Sequence, residues 1–256
     1  MPANRRPGAD RIIVLYTDFG IDDPYVGQMK AALLRHGRRG RDVPIIDLLH
    51  AVPNFDPRAG AHLLAALATS FDRSTVFLAV VDPGVGSDLA AVVLEADGKF
   101  YVGPDNGLLG VVAARAQVLR TWRITWQPDG LSASFHGRDL FAPIAARIAA
   151  GKWPAGAIEE CDGLEHTLSA DDLSEVIYLD HYGNAMTGMR ASNISREVAL
   201  VVGARRIPPA RVFSEVPPGQ TFWYENSVGL VEIAVNRGSA ASVLLLAVGS
   251  PVALDA

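Results

Sequence analysis

Apolar and polar positions keep one rhythm over the first 150 residues and another after them. Arg11 to Phe19 is a nearly unbroken apolar run rich in β-branched residues, which predicts a parallel strand buried on both faces. Asp22-Asp23-Pro24 opens a helix over Tyr25 to Arg35, with Val26, Met29, Ala32 and Leu33 at helical spacing. Val43 to Leu49 is a second strand, ending at His50. Pro57 to Ala68 is an Ala/Leu-rich helix with Asp56 at its N-cap, and Thr75 to Val81 is a third strand. This β-α-β-α-β order predicts right-handed crossovers and a parallel sheet. Ala91 to Val102 then reads as a hairpin around Asp97-Gly98. Gly107 to Ala116 reads as a helix, Val118 to Thr125 as a strand, and Phe135 to Ala150 as a helix with Leu140, Ile144, Ala145 and Ile148 on one face.

The helical rhythm stops at Lys152-Trp153-Pro154-Ala155-Gly156, and a polar stretch runs to Asp172. Beyond it lie short β-rich runs: Val176 to Leu179, Val198 to Val202, Phe222 to Glu225, Leu230 to Val235 and Val243 to Val248. The expected fold is an α/β domain over 1–160, with a mostly parallel, Rossmann-like sheet. An all-β barrel or sandwich over 170–256 follows it.

Composition narrows the function classes. Hydrophobic residues are 49% of the chain and charged residues 20%, enough core material for an ordinary globular protein. The net charge of −5 and the absence of a long basic run argue against a nucleic-acid surface. The one cationic cluster, Arg35-His36-Gly37-Arg38-Arg39-Gly40-Arg41, reads as a helix end and its loop. A single cysteine, Cys161, leaves no intramolecular disulfide framework or Cys-based zinc site and fits a reducing compartment. Met1 to Asp10 is polar and is expected to be neither a signal peptide nor an anchor. No apolar run approaches the ~20 residues of a membrane span. These features predict a cytoplasmic protein without a membrane partner.

Candidate chemistry gathers at strand ends. Val81-Asp82-Pro83-Gly84-Val85-Gly86-Ser87, Thr17-Asp18-Phe19-Gly20 and Gly103-Pro104-Asp105-Asn106-Gly107 each follow an apolar run with an acid beside glycine. Open α/β sheets place ligands at such ends, and three in one half of a chain suggest one pocket. Walker A, Gly-x-Gly-x-x-Gly, Gly-x-Ser-x-Gly and His-x-x-x-His patterns are absent, and the six histidines are scattered. No metal and no cofactor are expected.

Six ordered words, spread over roughly residues 11 to 249, carry a resemblance: Thr17-Asp18-Phe19-Gly20 with Asp23-Pro24-Tyr25-Val26-Gly27; Val81 to Gly86; Gly103 to Gly107; Phe135-His136-Gly137-Arg138-Asp139; Asp180-His181-Tyr182-Gly183-Asn184; and Asn226-Ser227 leading into Glu232-Ile233-Ala234. The chain resembles the S-adenosyl-L-methionine hydroxide adenosyltransferase family, which also contains the fluorinase and chlorinase. The resemblance implies attack of water on C5′ of S-adenosyl-L-methionine, giving adenosine and L-methionine. It also implies a homotrimer whose site lies between one subunit's N-domain and a neighbour's C-domain. By resemblance Asp18 grips the ribose diol, with Phe19 beside it, and Asp82 and His136 belong to the set that activates water. Phe55 walls the substrate. Asp180 and Asn184 meet the methionine ammonium and the adenine or amino-acid end, Tyr182 stacks on adenine, and Asn226 and Ser227 hold the methionine carboxylate or adenine edge.

One position departs from the pattern. The family's arginine should stand seven residues after Asp82, where this chain has Leu89. Either Arg138 or Arg58 is a spatial substitute to examine. A catalytically silent binder of adenosine or S-adenosyl-L-methionine is the alternative that Leu89 favours. A halide-using homologue is disfavoured by the Asp82-Pro83-Gly84 turn, which halogenating members lack.

Overall fold

The computed structural model describes residues 11–37 and 43–255. Met1 to Asp10 and the Arg38 to Arg41 part of the cationic cluster lie outside the described residues, while Arg35 and His36 occupy the last turn of a helix. Two units divide the chain: residues 1–57 with 71–169, and residues 58–70 with 170–256.

Up to residue 161 the elements run β1 (Ile13–Thr17), α1 (Pro24–Gly37), β2 (Ile45–Leu49), α2 (Pro57–Leu67), β3 (Val76–Val80), β4 (Ala91–Ala96), β5 (Lys99–Pro104), α3 (Gly110–Arg115), β6 (Leu119–Ile124), α4 (Ala142–Ala149) and β7 (Ile158–Cys161), all but α2 within the first unit. Most of α2 clusters with the second unit instead. All five residues of β1 and of β3 are buried, as their unbroken apolar runs require. Helix α1 buries Val26, Met29, Ala32 and Leu33, the stripe that its spacing predicts. It packs on α4, which lies over β1, β3 and β5, and this layer forms the core.

The sheet has seven strands in the order β2-β1-β3-β5-β4-β6-β7. Strands β2, β1, β3 and β5 are parallel to one another. The other half is antiparallel, so the sheet is mixed rather than mostly parallel. The cause is local: Asp97 and Gly98 take φ of +50° and +85°, a two-residue turn of the kind that joins only antiparallel neighbours. Strand β7 escaped sequence analysis because only Ile158 of Ile-Glu-Glu-Cys is buried. The arrangement has one consequence for function. β1, β3 and β5 are adjacent and parallel, so the ends that carry Asp18, Asp82 and Asp105 open on one edge of the sheet.

The second unit contains β8 (Leu173–Leu179), β9 (Ala185–Arg190), β10 (Leu200–Val202), β11 (Arg205–Ile207), β12 (Thr221–Glu225), β13 (Leu230–Val235), α5 (Ala240–Leu244) and β14 (Ala253–Leu254). They build two antiparallel sheets, β12-β13-β9-β8 and β11-β10-β14. Val176, Ala185, Leu200, Trp223, Val231 and Ile233 form part of the core. The expected strand Val243 to Val248 is corrected: Ser239 accepts from the Ser242 N–H at 3.1 Å and caps helix α5, which ends at Leu245 in the left-handed region. Val243 and Leu245 are exposed while Leu246 is buried, and the Ser239 cap and the left-handed Leu245 bound one short helical turn where a strand was expected.

Candidate active site

In the first unit, two of the three strand-end acids come together and the third does not. Asp105 is buried and accepts from the Glu165 and His166 amides at 2.7 and 3.1 Å, so it ties down a loop. Asp18 and Asp82 interact electrostatically. Burial raises the Asp82 carboxyl above its ordinary range, the Gly84 N–H and the charge of His136 pull it back, and Asp18 pushes it up again. Asp82 Oδ1 is buried and has no hydrogen-bond partner among the described residues. An unpaired buried acceptor is costly, and a catalytic role is one of the reasons such a group is kept in a native structure.

The loops around Asp82 are held tightly. Ser87 donates to the Gly84 carbonyl at 2.7 Å and accepts from the Leu89 amide at 3.3 Å. Gly86 has φ +84°, and a Cβ there would stand 2.4 Å from the Ala133 carbonyl oxygen. Only glycine therefore lets this turn lie against the segment that leads to His136. His136 precedes a π-helical turn, Gly137–Phe141, in which the Ala142 N–H donates to the Gly137 carbonyl. Turns of this kind recur at functional sites. His136 is half-buried, and its charge is felt by both Asp82 and Asp139.

Aromatic rings join the Asp18 segment to the His136 segment. Phe19 follows Asp18, Phe135 precedes His136, and their rings meet edge to face at 5.7 Å. Tyr25 completes the trio, at 6.0 Å from Phe19 and 5.6 Å from Phe135. Asp18 is also raised by burial, and it accepts from the Phe55 amide at 3.3 Å. Phe55 has φ +61° and is 75% exposed, so its ring is free to cover a ligand.

Both arginines weighed as substitutes for the one that the resemblance implies have other partners. Arg138 binds both oxygens of Asp139 at 2.6 and 2.8 Å, donates to Gln28 Oε1 at 2.9 Å and lies over the Phe135 ring. In the second unit Arg58 pairs with Glu175 at 3.5 Å. Leu89 Cδ2 and Asp82 Oδ1 each lie 3.8 Å from where a Cβ on Gly84 would stand, so both side chains flank Gly84.

The second unit holds the other candidates. Asp180 accepts from the Tyr182 and Asn184 amides at 2.9 and 2.8 Å and from Asn184 Nδ2 at 2.9 Å, which fixes the turn. Tyr182 is 74% exposed. A cavity of about 590 Å³ is lined by Asp180, Tyr182, Asn184, Phe213, Tyr224 and Arg237, among others. Asn226 donates to Glu232 Oε2 at 2.7 Å and accepts from the Val228 and Leu230 amides at 3.1 and 3.0 Å. Its amide is thus used within the turn, with Ser227 exposed at the tip. Sequence analysis assigned no role to Tyr224 or Glu232. Glu232 is buried, is raised by that burial, and accepts from Tyr224 Oη at 2.6 Å. A lone carboxylate inside Leu-Val-Glu-Ile-Ala-Val was the available signal. Among the described residues no group of three or more His, Cys, Asp and Glu is placed to hold a metal ion, and no helix is long and apolar enough to cross a membrane.

The SAM hydroxide adenosyltransferase N-terminal domain matches residues 13–158, and the corresponding C-terminal domain matches residues 174–253. The chain belongs to the SAM hydroxide adenosyltransferase family. A relative from Thermus thermophilus named (R)-S-adenosyl-L-methionine hydrolase is 40% identical, over 95% of this chain and 99% of its own length. One of the same name from Salinispora arenicola is 36% identical, over 94% and 96%. A crystal structure of an uncharacterized conserved protein from Thermotoga maritima superposes with a TM-score of 0.85 at 31% identity, covering 95% of this chain and 99% of that one. In this chain the strand-end acids and His136 fall within the span matched to the N-terminal domain, and Asp180 and Glu232 within the span matched to the C-terminal domain.

Proposed function

We propose that this chain is a hydrolase of S-adenosyl-L-methionine that directs water to C5′ and releases adenosine and L-methionine. The observation that carries this reading is Asp82: a strand-end carboxylate with a buried, unpartnered oxygen, under the charge of His136 and beside Asp18. The relatives named as hydrolases support the same reaction.

In the proposed reaction the water oxygen forms a bond to C5′ as the C5′–S bond breaks, and its electron pair returns to sulfur. The sulfonium leaves as a neutral thioether, so the leaving group needs no acid and the reaction no cofactor. Asp82 and His136 take up the proton of the attacking water. Asp18 accepts from the ribose hydroxyls, and Phe19 and Phe55 wall the substrate. Asp180, Tyr182, Asn184, Asn226 and Ser227 belong to the surface that takes the adenine and methionine portions. Because the chemistry is one in-line displacement, alignment and exclusion of water carry most of the rate.

The reading includes a homotrimer in which a neighbour's C-terminal domain completes the site, and a cytoplasmic location, which the single cysteine suits. Light scattering tests the trimer. The reaction is tested by incubating purified protein with S-adenosyl-L-methionine without halide. Equimolar adenosine and methionine above the buffer rate support it. Retention of intact substrate without release favours the silent binder that Leu89 raises.

A further inference from the structure

His50 belongs to no role assigned so far, yet it is buried and bonded on every side. Its Nδ1 lies 2.8 Å from Thr17 Oγ1, and its Nε2 lies 3.1 Å from Asp47 Oδ1. Asp47 in turn accepts from Lys30. Thr17 is fully buried, and its Oγ1 accepts from the Phe19 amide at 3.3 Å. The backbone repeats the connection: the Gly20 N–H donates to the His50 carbonyl at 2.7 Å, and the Val52 N–H donates to the Thr17 carbonyl at 3.1 Å. Residues 17, 19 and 20 are thus held by His50 and its neighbours, and Asp18 stands between them.

The bonds form one consistent direction. Asp47 is acceptor-only when ionised, so in the neutral form of the ring the proton sits on Nε2. Nδ1 is then an acceptor, and the Thr17 hydroxyl donates to it. The lone pairs of that hydroxyl are left to receive the Phe19 amide. A carboxylate that fixes an imidazole tautomer and through it a third group is a recurrent positioning device. Thr17 itself is too deeply buried to act as a nucleophile.

We propose that His50 is a positioning residue, which clamps the Thr17–Gly20 turn so that Asp18 faces the nucleoside. The proposal rests on the assignment of Asp18 to the ribose. Without the clamp, Asp18 loses the fixed backbone on both sides of it, and the free-energy cost falls on nucleoside affinity more than on the displacement step.

Two isosteres separate this role from simple packing. Asparagine places a polar atom near Nδ1 and can keep the Thr17 bond, whereas glutamine places its polar end near Nε2 and keeps only the Asp47 bond. In His50→Ala and His50→Gln, the Kd for adenosine by titration calorimetry should rise about tenfold or more, and KM for S-adenosyl-L-methionine should rise with it while kcat changes less. His50→Asn should stay within about threefold of the native chain. Amide hydrogen exchange at Phe19, Gly20 and Phe55, read without ligand, should speed up in His50→Gln and not in His50→Asn. If His50→Ala does not fold, Thr17→Val against Thr17→Ser makes the same comparison. Equal adenosine affinity in the native, His50→Gln and Thr17→Val chains overturns the proposal alone. A native chain that binds no adenosine overturns the ribose assignment of Asp18 and the proposal with it, even where the exchange data still show the clamp. Adenosine binding that responds to His50 in a chain that never turns over substrate upholds the proposal and overturns the hydrolase reading.

Discussion

The side-chain amide of Asn106 donates to the carbonyl of Val81 at 2.7 Å, one residue before Asp82. Asn106 Oδ1 meanwhile accepts from the Leu108 amide at 3.2 Å. The loop after β5 therefore fixes the end of its neighbour β3 and, with it, the carboxylate proposed to address water. Asn106→Ala leaves the Val81 carbonyl unpaired in the buried strand end, at a cost of about 1–3 kcal/mol. Thermal unfolding should register that loss. kcat should fall at least as sharply, with KM for S-adenosyl-L-methionine nearly constant.

Gly86 offers a second test of loop placement. Gly86→Ala sets a Cβ 2.4 Å from the Ala133 oxygen in a left-handed backbone, so the turn must move away from the His136 segment. The expected outcome is a lower Tm and a large drop in kcat. Adenosine affinity should change little, because Asp18 lies on another strand. A variant with native kcat would show that the Asp82 and His136 segments need not meet.

The raised pKa of Asp82 links activity to stability. Its pKa is higher in the folded chain because burial disfavours the charge. The sign follows: the folded state holds its proton more tightly, so the contribution to stability is intact below the unfolded pKa and is lost as pH rises through the folded one. Asp82→Asn should therefore unfold at a higher temperature than the native chain at pH 7, and lose this advantage in acid. Its turnover should drop by about a hundredfold or more, the usual share of a positioned base. In the native chain the acid limb of kcat/KM should lie above the ordinary carboxylate range.

Leu89 and Asp82 both flank Gly84, and Leu89 stands where the resemblance implies an arginine. Leu89→Arg should lower the Asp82 pKa by Coulomb attraction. The acid limb of the pH profile should then move to lower pH. An unmoved limb would show that the new guanidinium turns to solvent or that Asp82 does not set the limb.

On the C-terminal domain, Tyr224→Phe removes the hydroxyl that donates to Glu232 at 2.6 Å. The buried carboxylate loses one of its two side-chain donors, at about 1–2 kcal/mol of stability. Because Tyr224 lines the cavity that contains Asp180 and Asn184, KM should rise more than kcat falls. Steady-state kinetics of the variant read both quantities.

The chain itself determined what is local. Continuous apolar runs wrote β1 and β3, spacing wrote the buried stripe of α1, and Asp97-Gly98 wrote the hairpin, because each depends on neighbours within a few residues. The acids at the strand ends were also legible, since a carboxylate after a buried strand is a visible break in pattern. Tertiary structure alone decided which of them share a site. Strand order places Asp18 beside Asp82, whereas backbone amides 60 and 61 residues away claim Asp105. Strands such as β7 and β11 went unseen because they are stabilised by ladder bonds at an edge, not by buried side chains that pattern a sequence. The reach of His50 to Thr17 and of Asn106 to Val81 spans 33 and 25 residues. No periodicity encodes such contacts, because they exist only once the sheet has brought its loops to one edge.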